Sequence, residues 1–278
     1  MNQVYVKKSN GDMQLFSEGK LRASLKFTGA SEDHITLILE YLSQKIYDGI
    51  TTRSIYNLAF KELRKISRPL SAYYGTKRAL LEMGPDGFIF EKFIARIMTY
   101  LGYESKNGIW IEGKCISHEI DVVAEGPKKN ILMECKFHNV HDKHNDIKTA
   151  LYIKARANDI FEGKFGDKYD EFWLVSNTKF SDDAIRYSTC AGLHLWGSNF
   201  PPQNTLQDII RDNALDPVTC LSSLKKAEKK MLLDSEIYLA TELKENPSLL
   251  HDIGLEETRI NKVISEINKI CKRSKNGC

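Results

Sequence analysis

Apolar and polar positions change period along the chain, and the changes divide it. In "QVYVKKSNGDMQLF" short alternating runs flank Ser9-Asn10-Gly11, which predicts two small strands around a turn. Helical spacing follows. Ser17 is placed to cap "SEGKLRASLKFTGA". Ser31 caps "SEDHITLILEYLSQKIYDG", whose Ile35, Leu39 and Leu42 share one face. "TTRSIYNLAFKELRKIS" is a third helix, ended before Pro69, and "SAYYGTKRALLEM" a fourth. "GPDG", Gly84 to Gly87, then breaks the pattern.

After that break the pattern turns to α/β. "FIFEKFIARIMTYLGY" is helical, with Phe88, Phe93, Ile97 and Leu101 apolar. Three strand-like runs come next: "GIWIEGKCI", "EIDVVAEG" and "NILMECKF". "NDIKTALYIKARANDIFEGK" is helical, "DEFWLVSN" a strand, "SDDAIRYSTCAG" a helix and "LHLWG" a last strand. The order α-β-β-β-α-β-α-β predicts a mixed sheet, meander first and crossover later, flanked by helices. Beyond "FPPQNTLQDIIRDN" the chain reads as helical. Three regions are expected: residues 1–83, 84–200 and 201–278.

Bulk properties add little. The chain has 278 residues, 42% hydrophobic and 28% charged, as in an ordinary globular protein. A net charge of +3 is compatible with a nucleic-acid partner and decides nothing. No run of about 18 apolar residues suggests a membrane span. The six cysteines are scattered without a C-x-x-C, which reads as free thiols in a cytoplasmic protein.

The second and third strands carry charge where a buried strand wants apolar residues. If their hairpin centres between Pro127 and Lys128, Val123 faces Leu132 and Asp121 faces Glu134. Directly opposed side chains have Cβ atoms about 4.5–5.5 Å apart. Lys136 then shares a face with Glu134. Two carboxylates at that range raise each other's pKa, and a divalent cation removes the conflict. Mg²⁺ takes oxygen ligands of this kind, and the Cys135 carbonyl is a further candidate ligand. Such an ion activates water and polarises a phosphodiester, while a lysine beside it neutralises developing charge.

"ID" followed by "ECK" in this setting resembles the PD-(D/E)xK nuclease superfamily, in its Mrr-like restriction-endonuclease branch. "GPDGFIFEKFIARIMTYLGY" is similar to the branch's first helix, "ALYIKARANDI" to its next, and "FWLVSNTKFSDDAIRYSTCAGLHLWG" to its closing β-α-β. The resemblance implies a restriction-endonuclease-like fold over residues 84–200. It also implies an endodeoxyribonuclease using Mg²⁺ or Mn²⁺. Asp121 and Glu134 would be metal ligands, Lys136 the catalytic lysine and Glu91 a water-mediated ligand. Many Mrr-like members have Gln at the Glu134 position. Lys154, on the following helix, is a candidate contact to double-stranded DNA. Since one site cuts one strand, a homodimer would supply the second cut.

The N-terminal stretch "VYVKKSNGDMQLFSEGKLRASL" resembles the start of an ATP-cone, with its V-x-K-x-x-G turn, Phe16 and Lys20. That likeness implies a regulatory site for ATP or dATP built from Lys8, Gly11, Phe16 and Lys20, with Arg22 and Lys77 as further contacts. The chain has no Walker A motif, in keeping with sensing rather than hydrolysis. The alternative to a nuclease is a nucleotide-responsive DNA-binding regulator. Cys135, His138, His141 and His144 offer a weaker zinc pattern. Gly254, in "LLHDIGLEETRINKVISEI", reads as the turn of an ordinary helical hairpin, with a helix-hairpin-helix presenting amides to phosphate as the weaker reading. "LKKAEKKM" reads as a solvated basic face.

Overall fold

The computed structural model describes residues 4–8, 11–27, 30–67, 70–71, 76, 79–84, 87–139, 143–272, 274–276 and 278. Ser9, Asn10, Pro69, Lys77, Pro85, Asp86 and His141 lie outside them.

The first elements are β1 (Tyr5–Lys7), β2 (Met13–Leu15), α1 (Glu18–Phe27), α2 (Glu32–Ser43) and α3 (Thr52–Ile66). β1 and β2 pair antiparallel, Tyr5 opposite Leu15. Gly11 ends their turn with φ of 93°, open to glycine at no steric cost. Ser31 caps α2 by accepting the His34 N–H, and Thr51 caps α3 by accepting that of Ser54. The strands and helices close over a core that includes Val6, Leu25, Ile35, Ile38, Leu42, Ala59 and Leu63. Each large aliphatic residue withdrawn from water there contributes roughly 1.5–3 kcal/mol.

The expected mixed α/β architecture follows. Its elements are α4 (Phe88–Tyr100), β3 (Glu104–Glu112), β4 (Ser117–Glu125), β5 (Asn130–Lys136), β6 (His144–Asn145), α5 (Ile147–Phe161), β7 (Glu171–Ser176), β8 (Lys179–Phe180), α6 (Asp182–Ala191) and β9 (His194–Trp196). Five strands form one sheet in the order β3-β4-β5-β7-β9. β3, β4 and β5 are antiparallel neighbours, whereas β7 and β9 add in parallel after helical crossovers. The short parallel pair of β6 and β8 was not expected, since the polar stretch from His138 to His144 reads as loop.

Each face of the sheet has its own core. On one, Ile153, Ala157 and Ile160 of α5 meet Leu132, Phe172 and Leu174. On the other, Phe90, Phe93, Ile94 and Ile97 of α4 meet Val122, Met133 and Val175. That second core continues into the tail, which is helical as expected: α7 (Leu206–Asp212), α8 (Lys226–Asp234), α9 (Ala240–Glu245), α10 (Ser248–Asp252) and α11 (Glu257–Cys271). It also takes in Ala79, Leu80 and Met83, ahead of α4. Thr219 Oγ1 donates to the Ala79 carbonyl at 2.9 Å, and Arg64 Nη2 to that of Ser222 at 2.9 Å. The tail thus packs on the sheet domain and on the helices before it.

One cysteine expectation is corrected. Cys271 and Cys278 form a disulfide, and Cys115, Cys135, Cys190 and Cys220 are free. Sequence spacing gives no hint of this pair, whose Cα atoms lie 5.2 Å apart. Among the described residues, no helix is long and apolar enough to cross a membrane.

Candidate active site

The hairpin of β4 and β5 has the expected register. Val122, Val123, Ala124 and Glu125 face Met133, Leu132, Ile131 and Asn130. The ladder stops one step before Asp121 and Glu134. There the two strands part, and Asp121 Oδ2 accepts the Cys135 N–H at 2.7 Å. A side chain replaces the next backbone rung.

A break in strand phase accounts for this. On a regular strand residues 120 and 122 share a face. Here Ile120 packs in the core under α5, while Val122 packs in the opposite core with Phe90 and Phe93. The phase changes at Asp121. Across on β3, the ladder passes from Asn107–Val122 to Ile109–Ile120 and skips Gly108, whose φ is 64°. Glycine accepts this conformation, where a side chain would be strained. Asn107 fixes the geometry: its Nδ2 donates to the carbonyls of Asp121 (3.0 Å) and Glu91 (3.2 Å). α4 and β4 are thereby tied together.

The site is electrostatically tense. Glu134 is only 9% exposed. Burial first, and then the charge of Asp121, push its carboxyl up to about 7. Arg156 opposes this, with Nη1 2.6 Å from Glu134 Oε2, but does not prevail. Burial also raises Asp121, against the Cys135 N–H and the charges of Arg156 and Lys136. Lys136, two residues beyond Glu134, is exposed. Glu91 lies at the same end of β5: a Cβ on Gly87 would stand 3.3 Å from Glu91 Oε1 and 3.5 Å from Phe137 Cβ. The Cys135 thiol is buried in the α4 core, and burial followed by the charges of Asp121, Glu91 and Glu134 holds its pKa well above the usual range. Of its atoms, the thiol is thus excluded as a ligand while the carbonyl remains a candidate.

A half-buried and a buried carboxylate, both raised by burial and Glu134 further by the charge of Asp121, form a place where a hard divalent cation is favoured. Oxygen donors suit Mg²⁺ or Mn²⁺, so the residues fit such an ion. Among the described residues, no three His, Cys, Asp or Glu side chains gather as a metal cluster. The pair would therefore rely on a backbone carbonyl, water and substrate oxygens. The zinc pattern fares poorly: Cys135 points into the core, and His138 Nε2 lies 2.9 Å from Asn145 Oδ1.

A buried polar network steadies the end of β5. Ser176 Oγ donates to the Lys136 carbonyl at 2.8 Å. Asn177 accepts the His138 N–H at 2.9 Å and donates to the His138 carbonyl at 2.8 Å. Asn145 Nδ2 donates to Ser176 Oγ and Thr178 Oγ1 at 2.8 and 3.2 Å. Asn145, Ser176, Asn177 and Thr178 are all buried. Sequence reading passed over these residues and over Asn107 and Arg156. A polar Ser-Asn-Thr run straight after an apolar strand was the available signal. For Arg156 the signal was its place between Ile153 and Ile160 on the apolar stripe of α5. Lys154, half-buried on the same helix, was chosen instead.

The N-terminal candidates are arranged differently. Gly11 and Lys20 are exposed and Lys8 is half-buried. The Gly11 N–H donates to the Lys8 carbonyl at 3.1 Å, and the Lys8 N–H to that of Asp12 at 2.8 Å. Phe16 packs against the N-terminal core. The Lys20 N–H donates to Ser17 Oγ at 3.3 Å. Arg22 is already engaged, with Nη1 2.7 Å from Glu32 Oε2. A mostly apolar cavity of about 230 Å³ between α4, β7 and β9 is lined by Met98, Tyr103, Trp173 and Trp196 among others, and by none of the candidate residues.

The chain is similar to known proteins over part of its length. A family model described as AF1548-like, C-terminal, matches residues 217–271. An uncharacterized protein of Archaeoglobus fulgidus is 30% identical over 177 residues, which is 64% of this chain and 99% of that one. The chain belongs to the AF1548-like family. A crystal structure of AF1548, a protein of unknown function, has 28% identity and a TM-score of 0.54, covering 66% of this chain and 98% of that one. This AF1548-like chain also shows weaker likenesses. The MspJI restriction endonuclease bound to a 27-mer oligonucleotide has 15% identity and a TM-score of 0.34, over 70% of this chain and 39% of that one. Can2 from Sulfobacillus thermosulfidooxidans, in complex with cyclic tetra-adenylate, has 21% identity and a TM-score of 0.33, over 44% and 34%.

Proposed function

We propose that this protein is a metal-dependent endonuclease acting on double-stranded DNA. The observation that carries the reading is the parting of β4 and β5, where half-buried Asp121 and buried Glu134 stand beside exposed Lys136. Asp121, Glu134 and the Cys135 carbonyl would hold Mg²⁺ or Mn²⁺, and Glu91 would act through a water. Bound there, the ion would polarise the phosphodiester and lower the pKa of the attacking water. Lys136 orients that water and neutralises charge developing on the phosphate. The Ser176 and Asn177 bonds fix the backbone on either side of Phe137, so Lys136 is presented from a rigid strand end. Lys154 contributes to holding the DNA backbone.

Residues 1–83 serve in this reading as an ATP-cone. ATP or dATP would lie against Lys8, Gly11, Phe16 and Lys20 and modulate cleavage by residues 84–200. A homodimer would supply the second active site for a double-strand break. Supercoiled plasmid incubated with Mg²⁺ or Mn²⁺ tests the proposal, with ATP, dATP or neither. Wild type is expected to nick and linearise it, and Lys136→Ala to leave it supercoiled. Intact plasmid under every condition would sink the nuclease reading. DNA binding without cleavage would favour a nucleotide-responsive regulator.

A further inference from the structure

Arg156 comes from the apolar stripe of α5, three residues after Ile153 and four before Ile160. Its side chain is 14% exposed and that of Glu134 11%. The guanidinium reaches two strands at once. Nη1 lies 2.6 Å from Glu134 Oε2 on β5, and Nη2 donates to the Glu119 carbonyl on β4, two residues before Asp121. The Tyr152 ring lies 5.9 Å from the guanidinium carbon. An ion pair made only to neutralise Glu134 needs one of these contacts. The second spans the opening between the two acidic strands.

A guanidinium and a divalent cation exclude one another from the same carboxylate oxygen by charge and by space. A released guanidinium would stand beside the metal pair with planar, paired donors, the group best matched to a phosphate. We propose that Arg156 is a latch on the metal site. It holds Glu134 until a divalent cation takes that carboxylate, and its guanidinium then passes to a phosphate oxygen of the nucleic acid. The Glu119 carbonyl is the pivot. The inference rests on the reading of Asp121 and Glu134 as metal ligands.

The test is Mn²⁺ binding to the full chain without DNA, followed by electron paramagnetic resonance of the free ion. Arg156→Gln is expected to bind Mn²⁺ roughly tenfold tighter than wild type, since a charged hydrogen bond no longer competes. In a Lys136→Ala background, which prevents cleavage, Arg156→Gln should lose roughly tenfold in DNA affinity with Mn²⁺ present and little without it. Equal or weaker Mn²⁺ binding by Arg156→Gln, where wild type binds the ion, overturns the latch and leaves the nuclease reading standing. Failure of both proteins to bind Mn²⁺ overturns both. If Arg156→Gln does not fold, the wild-type Arg156 Nε–H resonance decides. It should shift on adding Mg²⁺, and an unchanged resonance overturns the latch.

Discussion

The opening between β4 and β5 and the turn between β1 and β2 both attract notice as charged residues near a glycine. Their surroundings differ. At the opening, Glu134 is buried, Asp121 bonds a backbone amide, and Arg156, Asn107, Ser176 and Asn177 hold the frame. At the turn, Gly11 and Lys20 stand exposed, and their backbone N–H groups bond the Lys8 carbonyl and Ser17 Oγ, as any short turn and helix start would do. Burying charge is costly and is retained where it does something, whereas exposed lysines cost nothing. The contrast ranks the two sites: buried charge marks the first for chemistry, and only sequence likeness marks the second.

The largest effect that would sharpen this contrast is catalytic. Lys136→Ala should lower the cleavage rate by about 10²–10³-fold with little change in melting temperature, because Lys136 is exposed. A comparable fall in stability would mean that Lys136 is structural. Next comes the steadying network. Asn177→Ala strips the His138 N–H and carbonyl of their partner and should cost about 1–3 kcal/mol in chemical denaturation. A neutral result would remove the claim that this network stiffens the strand end.

A pH dependence follows from Glu134. Its folded pKa is raised to about 7 from an ordinary 4.5, so the folded protein binds more protons than the unfolded chain between those values. Stability of the metal-free protein should therefore fall as pH rises through that window, by on the order of 1–3 kcal/mol. Asp121→Asn removes a charge that raises Glu134 and should flatten the slope. A slope of opposite sign would show that the Arg156 ion pair dominates. The smallest stability effect belongs to the turn. Lys8→Ala and Lys20→Ala should each change stability by less than about 0.5 kcal/mol, as exposed or half-exposed lysines do. Equilibrium dialysis should show ATP affinity falling roughly tenfold, as expected for a lost charged contact to phosphate. Unaltered ATP binding would detach these lysines from the nucleotide reading.

Much of the fold was legible. Apolar runs found every strand of the main sheet, although β3 spans Glu104–Glu112, four residues ahead of the run read from Gly108, and the turn at Pro127-Lys128 set the register of β4 on β5. The carboxylates were legible because charge interrupts apolar runs. The phase change at Asp121 was not, since it depends on the positive φ of Gly108 across the sheet, and alternation assumes a regular strand. Arg156 was overlooked because helix-face counting favoured a lysine over an arginine lying within the apolar stripe. The Cys271–Cys278 disulfide was invisible because no spacing rule covers a pair closed by a chain end.

The central claim is that Asp121 and Glu134 form a divalent-metal site. Mn²⁺ titration by isothermal calorimetry, at a pH above the value of about 7 to which Glu134 is raised, tests it most directly. Wild type and Lys8→Ala should bind the ion alike, and Asp121→Asn should lose binding. Equal Mn²⁺ binding by wild type and Asp121→Asn, or none by wild type, would contradict the account.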